Sequence, residues 1–296
     1  MDPVIDWALI GGSFVVAIVV GLTGMGGGAL MTPMMMLFFN VPPLAAVSSD
    51  LVASAVMKPV GSVVHLRQGT VNLRLVGWLC AGSVPAAFCG VFLARAFAVS
   101  DAVTYALGVA LLLAVAGMAV KSWLGGRGGT SNARDIVVRP IPTLLVGTVG
   151  GLVVGVSSVG SGSLIIVALL ALYPALKANQ LVGTDLVQAV PLVASAALGH
   201  LLFGDFQADL TLSLLIGSIP GVYLGARISS RAPGGLIRAM LAIVLLASAL
   251  KLLDVSNTLT VWALVAATAV TVVGWRVKLR AAARASSEST DLEPAR

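Results

Sequence analysis

Gly21-Leu22-Thr23-Gly24-Met25-Gly26-Gly27-Gly28-Ala29 interrupts the first hydrophobic run of the chain, and Gly155-Val156-Ser157-Ser158-Val159-Gly160-Ser161-Gly162-Ser163 interrupts another about 135 residues later. The surroundings repeat as well. Ser49-Asp50-Leu51-Val52 returns as Thr184-Asp185-Leu186-Val187, and His65-Leu66 as His200-Leu201. Gly69 returns as Gly204, Gly82-Ser83-Val84-Pro85 as Gly217-Ser218-Ile219-Pro220, and Gly90 as Gly225. A glycine-broken hydrophobic unit present twice points to a membrane transporter.

Composition narrows the function classes. With 58% hydrophobic and 10% charged residues over 296 positions and a mean hydropathy of +1.03, the chain lies outside the range of soluble domains. The sizeable polar segments are confined to 125–140 and 280–296, which leaves no room for a soluble catalytic domain. The net charge of +6 resides in short loops and at the C-terminus, without an aromatic or basic face to track phosphates. That pattern sets membrane topology and excludes nucleic acid as a partner. Cys80 and Cys89 lack a CxxC pattern and read as structural, and two histidines build no metal cluster. No cofactor and no metal are expected. The first apolar run follows Asp2 and Asp6 rather than a basic start, so it reads as a retained transmembrane element rather than a signal peptide.

The fold class is therefore an all-α polytopic membrane protein. Apolar runs bounded by charge, Gly or Pro predict segments 4–20, 29–39, 44–66, 75–93 and 102–121 in the first copy. The second copy gives 141–156, 163–173, 178–203, 210–228 and 236–252, and a last run at 259–275 stands outside the repeat. The implied division is a first membrane repeat (1–124), a cytoplasmic linker (125–140), a second repeat (141–254), an extra transmembrane helix (255–279) and a polar tail (280–296). Cytoplasmic loops are enriched in Lys and Arg. Arg67 and Arg74 follow the third segment of copy one, whereas Asp205 and Asp209 follow its counterpart, so equivalent loops prefer opposite faces. Two inverted repeats of five segments each are the result, with Arg95 and Lys251 as exceptions, near Asp101 and Asp254.

Glycine ends helices, and the helix that follows presents unpaired N–H groups with partial positive charge. In lipid such backbone survives only where protein or an aqueous cavity satisfies it. The arms after the breaks, 29–39 and 163–173, span about 16 Å each, half the hydrocarbon core. A broken or re-entrant hairpin with its tip near the bilayer centre fits that length. Close helix packing is the competing reason for the glycines. Recurrence at one repeat position, with hydroxyls from Thr23, Ser157, Ser158, Ser161 and Ser163, favours a site, and the lack of a Walker lysine excludes a nucleotide loop.

The breaks, the Ser-Ser-Asp and Gly-Thr-Asp turns, and the stretches Gly82-Ser-Val-Pro85 and Gly217-Ser-Ile-Pro-Gly-Val-Tyr-Leu-Gly-Ala-Arg227 resemble the TauE/SafE family of sulfite and organosulfonate exporters, also called the four-toluene-sulfonate uptake permease family. The resemblance covers nearly all of Val4 to Leu253. It implies an integral membrane permease for small, often sulfur-containing anions. Copy one departs from copy two in having Ala86 against Gly221 and Arg95 against Ser230.

Ionisable residues inside a membrane cost about 3 kcal/mol to insert and mark function. Lys58 stands mid-segment, where Val193 occupies the equivalent position. It suits an anionic substrate, or else pairs with Asp50 two helical turns away. Asp50 and Asp185 recur at equivalent positions; they position the breaks or carry protons. Gln188, one turn after Asp185, offers an uncharged contact. His65 and His200 fall at segment ends and read as interfacial packing or capping groups rather than relays. Trp7, Trp78, Trp123, Trp262 and Trp275 read as interfacial anchors, Arg227 as a topology marker, and Met31 and Met34 to Met36 as packing rather than a copper path.

The expected function is a secondary transporter, not an enzyme, in the cell membrane. It would export a small anion such as sulfite or a sulfonate by alternating access, coupled to a proton or sodium ion, with a homodimer left open. Candidate substrate contacts are Thr23, Gly26, Gly27, Gly28, Ser158, Gly160, Ser161, Gly162, Ser163 and Gln188, with Lys58 as charge partner. A passive anion channel is the alternative; a membrane subunit of an enzyme complex is disfavoured because the paired histidines and acids would lie at opposite faces.

Overall fold

A computed structural model describes residues 6–23, 27–96, 101–124, 136–160, 162–176, 178–229 and 234–271. Among these, apart from one isolated bridge between Gly160 and Gly162, regular structure is helical. The first repeat holds α1 (Trp7–Thr23), α2 (Gly28–Phe38), α3 (Pro43–Arg67), α4 (Leu73–Ala96) and α5 (Ala102–Leu124). The second holds α6 (Pro140–Ser157), α7 (Leu164–Leu172), α8 (Ala178–Phe203), α9 (Ala208–Ser229) and α10 (Gly234–Leu252). A further helix, α11, covers Asn257–Thr271. Five helices, α4, α5, α6, α8 and α9, contain stretches long and apolar enough to cross a membrane. The arms α2 and α7, with 11 and 9 residues, rise only about 16 and 14 Å.

Helix starts follow local chemistry. Pro43 and Pro140 each open a helix, where the missing N–H costs nothing and the fixed φ is already helical. Both breaks are narrower than the glycines predict, because Gly21 lies inside α1 and Gly155 inside α6. The reason is packing. A Cβ on Gly155 would collide with the carbonyl of Ala87, and Gly225 of α9 lies against Cα of Gly21. These glycines let helices touch rather than end.

The dominant packing pairs exchange between repeats: α1 packs on α9, and α6, its equivalent, packs on α4. The contacts match residue by residue. Gly217, Gly221 and Gly225 meet the carbonyls of Ile10, Phe14 and Ile18 in ascending order, so α1 and α9 run parallel. Gly82 and Gly90 meet those of Leu144 and Leu152, while Gly147, Gly151 and Gly155 meet Leu79, Ser83 and Ala87. At the centre, Ser48 bonds His200 and Ser62 bonds the carbonyl of Leu186. Gly183 packs on His65. The order descends, so α3 and α8, equivalent in the repeat, pack antiparallel.

Apolar clusters fill the spaces between these pairs. Val47, Leu51, Leu79, Leu169 and Leu192 join α3, α4, α7 and α8. Leu107, Leu111, Leu245 and Ala249 join α5 to α10, and Leu9, Met31, Met35 and Leu214 join α1, α2 and α9. Met31, Met34 and Met35 are buried in this packing, as read from the sequence. The outward faces carry exposed apolar side chains such as Leu145, Val149, Tyr223 and Val244, which is the surface lipid requires.

Candidate functional site

Asp50 sits on α3 with no exposed surface, where arm α2 meets the end of α6. Its Oδ2 accepts hydrogen bonds from Thr32 Oγ1 at 3.1 Å, on arm α2, and from Ser158 Oγ at 2.5 Å, at the end of α6. One carboxylate therefore ties an arm of its own repeat to the break of the other repeat. Gly28 makes this possible, because any Cβ there would collide with the carbonyl oxygen of Ser158. Asp50 Oδ1 is buried without a hydrogen-bond partner among the described residues.

The second break is backbone held out of the helical region. Ser158 adopts φ 57°, and Gly160 and Gly162 adopt φ 130° and 94°. Side chains disfavour the last two conformations, which is why glycine stands there. Val159 N–H donates to Ser157 Oγ at 3.2 Å. The amides of Ser163, Leu164 and Ile165 converge on the carbonyl oxygen of Gly160 at 3.4, 3.1 and 3.4 Å. These amides are engaged by that carbonyl, which closes the first turn of α7 with its own backbone.

Lys58 lies two turns further along α3, 8% exposed, and interacts electrostatically with both Asp185 and Asp50. It is thus shared between the two acids rather than paired with Asp50 alone. Asp185, on α8, is 1% exposed. Gln188 is buried, and its Nε2 donates to Ser83 Oγ of α4 at 2.8 Å while Oε1 has no hydrogen-bond partner. One of its two N–H donors is thus engaged with α4. Gly26 and Ser161 lie outside the described residues, as does the side chain of Thr23.

His200, read from the sequence as an interfacial packing or capping group, is wholly buried and serves as a cap. Its Nε2 donates to the carbonyl of Gly155 at 2.8 Å and its Nδ1 meets Ser48 Oγ at 2.8 Å. A carbonyl only accepts, so Nε2 carries the proton. Gly155 lies in the last turn of α6, whose carbonyls lose their intrahelical partners at the break; His200 caps one of them from α8. His65 is partly exposed, and its Nδ1 lies 3.0 Å from Thr70 Oγ1. Thr32, Ser48 and Ser83 escaped sequence reasoning, since a lone hydroxyl in an apolar helix carries no distinguishing signal.

The described residues of the cluster are buried, and an open groove of about 730 Å³ lined by Arg74, Trp78 and residues 136–138 shares no residue with it. The family model for the sulfite exporter TauE/SafE matches residues 9–252, from α1 through α10. The chain belongs to the TauE/SafE family. It is a multi-pass membrane transporter of that family. Probable membrane transporter protein YjnA of Bacillus subtilis (strain 168) is 36% identical over 249 residues, covering 82% of this chain and 97% of YjnA. Probable membrane transporter protein YdhB of the same organism is 23% identical over 221 residues, covering 74% of this chain and 89% of its own. Its YunE protein, also named a probable membrane transporter protein, is 43% identical over 79 residues, 26% of this chain and 27% of YunE. No solved structure matches the chain. The matched region of this TauE/SafE member contains both breaks, Asp50, Lys58 and Asp185.

Proposed function

We propose that this TauE/SafE member is a secondary transporter of the plasma or inner membrane that exports a small sulfur-containing anion such as sulfite or a sulfonate. The two halves act as inverted repeats, and access alternates as they rock about the α3–α8 pair. The observation that carries this reading is the junction at Asp50, where the arm of one half and the break of the other meet in a buried cluster. Antiparallel packing of the equivalent helices α3 and α8 supports inversion. The buried Lys58 favours an anion over a cation as cargo. The family description favours sulfite or its organic analogues.

Burial of the described cluster residues favours a carrier over a passive pore, which holds a continuous path open in its conducting state. Purified protein in liposomes preloaded with unlabelled sulfite should take up labelled sulfite by saturable counterflow. A linear, ohmic current without counterflow would mark a channel instead.

A further inference from the structure

Asp50 occupies the proposed anion site as a competitor for it. Oδ2 is engaged by Thr32 and Ser158, whereas Oδ1 is buried with no hydrogen-bond partner among the described residues. Oδ1 faces Gly27 at the start of α2, where a Cβ would stand 3.6 Å from it. That helix N-terminus attracts an oxyanion, but a carboxylate and an oxyanion at contact distance repel, as paired carboxylates do until they share a proton.

The surrounding charges point the same way. Lys58 is the charged group acting on Asp50, and Asp185 of α8 shares that lysine. Arm α2 carries no titratable side chain, and neither does the second break. On α9, Asp209, Tyr223 and Arg227 are exposed, as is Tyr105 on α5. His200 of α8 turns its ring to Ser48 and Gly155. Two carboxylates within electrostatic reach of one ammonium already leave an excess negative charge, and an added anion would double it in a medium of low dielectric.

We propose that the anion binds together with one proton, taken up on Asp50 Oδ1 and donated in a hydrogen bond to a substrate oxygen, so that anion and proton cross as a neutral pair. The inference rests on the anion-transport reading and specifies its coupling ion. Thr32 and Ser158 keep their bonds to Oδ2 throughout, so Oδ1 is the oxygen with lone pairs to spare. The new O–H bond takes its proton from water on the loading side and returns it on the other side when the anion leaves. The buried charge is then the same before and after loading.

Methanesulfonate tests this, because it stays ionised at neutral pH and any proton taken up belongs to the protein. Calorimetric titration of the detergent-solubilised protein in buffers of different ionisation enthalpy counts protons per bound anion. Wild type should take up about one, with affinity falling about tenfold per unit rise in pH. Asp50→Asn should bind methanesulfonate with no proton uptake and no such pH dependence. Binding to wild type without proton uptake overturns the proposal and leaves the anion-transport reading intact. Full proton uptake by Asp50→Asn overturns the assignment to Asp50. Should methanesulfonate, sulfite and thiosulfate all fail to bind wild type, the transport reading falls and the proposal with it. The wild-type proton count decides the matter even where Asp50→Asn does not fold.

Discussion

At the scale of single residues, the buried charges were readable in the sequence and their partners were not. Asp50, Asp185 and Lys58 stand out because ionisable side chains are scarce in so apolar a chain. Nothing in the spacing says that Asp50 reaches across to Ser158 of the other repeat, 108 positions away. Lys58→Ala tests the charge partner. A hydrogen bond to a charged group is worth about 1.5–3 kcal/mol, so the sulfite dissociation constant should rise about 10- to 150-fold while membrane insertion is retained. An unchanged constant, measured by equilibrium binding, would remove Lys58 from the site. His200 acts through Gly155, holding the carbonyl where α6 ends. Alanine there abandons a buried acceptor at about 1–3 kcal/mol, which should lower the melting temperature and the maximal flux. Glutamine can still donate to that carbonyl, so His200→Gln should recover flux and stability together. Equal loss in both variants would show that donation to Gly155 is not what matters.

Among elements, the sequence located the helices well and misread what some glycines do. The expected segment 178–203 coincides with α8, and the short arms came out short. Gly21 and Gly155 looked like parts of the breaks, yet both lie within helices, because glycine serves close approach and helix termination alike. The surface opposite the residue decides between them. Gly151 illustrates the first use, since a Cβ there would collide with the carbonyl of Ser83 on α4. Gly151→Leu should force α6 away from α4. Overpacking costs about 1–3 kcal/mol where neighbours can yield, and a helix backbone yields little. A thermal unfolding scan should therefore show a clear drop, whereas Gly77→Leu, at a position with open space around it, should leave the midpoint within error. Similar midpoints for the two variants would contradict the packing.

At the scale of the whole molecule, the repeat is expressed as exchanged partnerships, α1 with α9 and α6 with α4. Both pairs run parallel while α3 and α8 run antiparallel, the arrangement expected of halves related by an axis across the helices. In a bilayer this predicts that Gly69 and Gly204, equivalent loop positions after α3 and α8, face opposite sides. Cysteine placed at each, in a background lacking Cys80 and Cys89, should react with an impermeant maleimide from opposite faces of oriented vesicles. Labelling of both from one face would reject the inverted arrangement.

Much of this protein is determined locally. Hydrophobic runs of membrane length, glycine breaks and misplaced charges follow from the chemistry of neighbouring residues, so the sequence alone establishes a duplicated all-helical membrane protein with marked residues in its centre. Tertiary structure decides what those marks touch. Ser158 becomes a partner of Asp50 only because Gly28 lets one half press against the other, and Thr32 joins them from the arm of Asp50's own half. Helix pairing carries no signature in a periodicity that every apolar face shares. It is set by which backbones can approach most closely, and that property belongs to two surfaces at once.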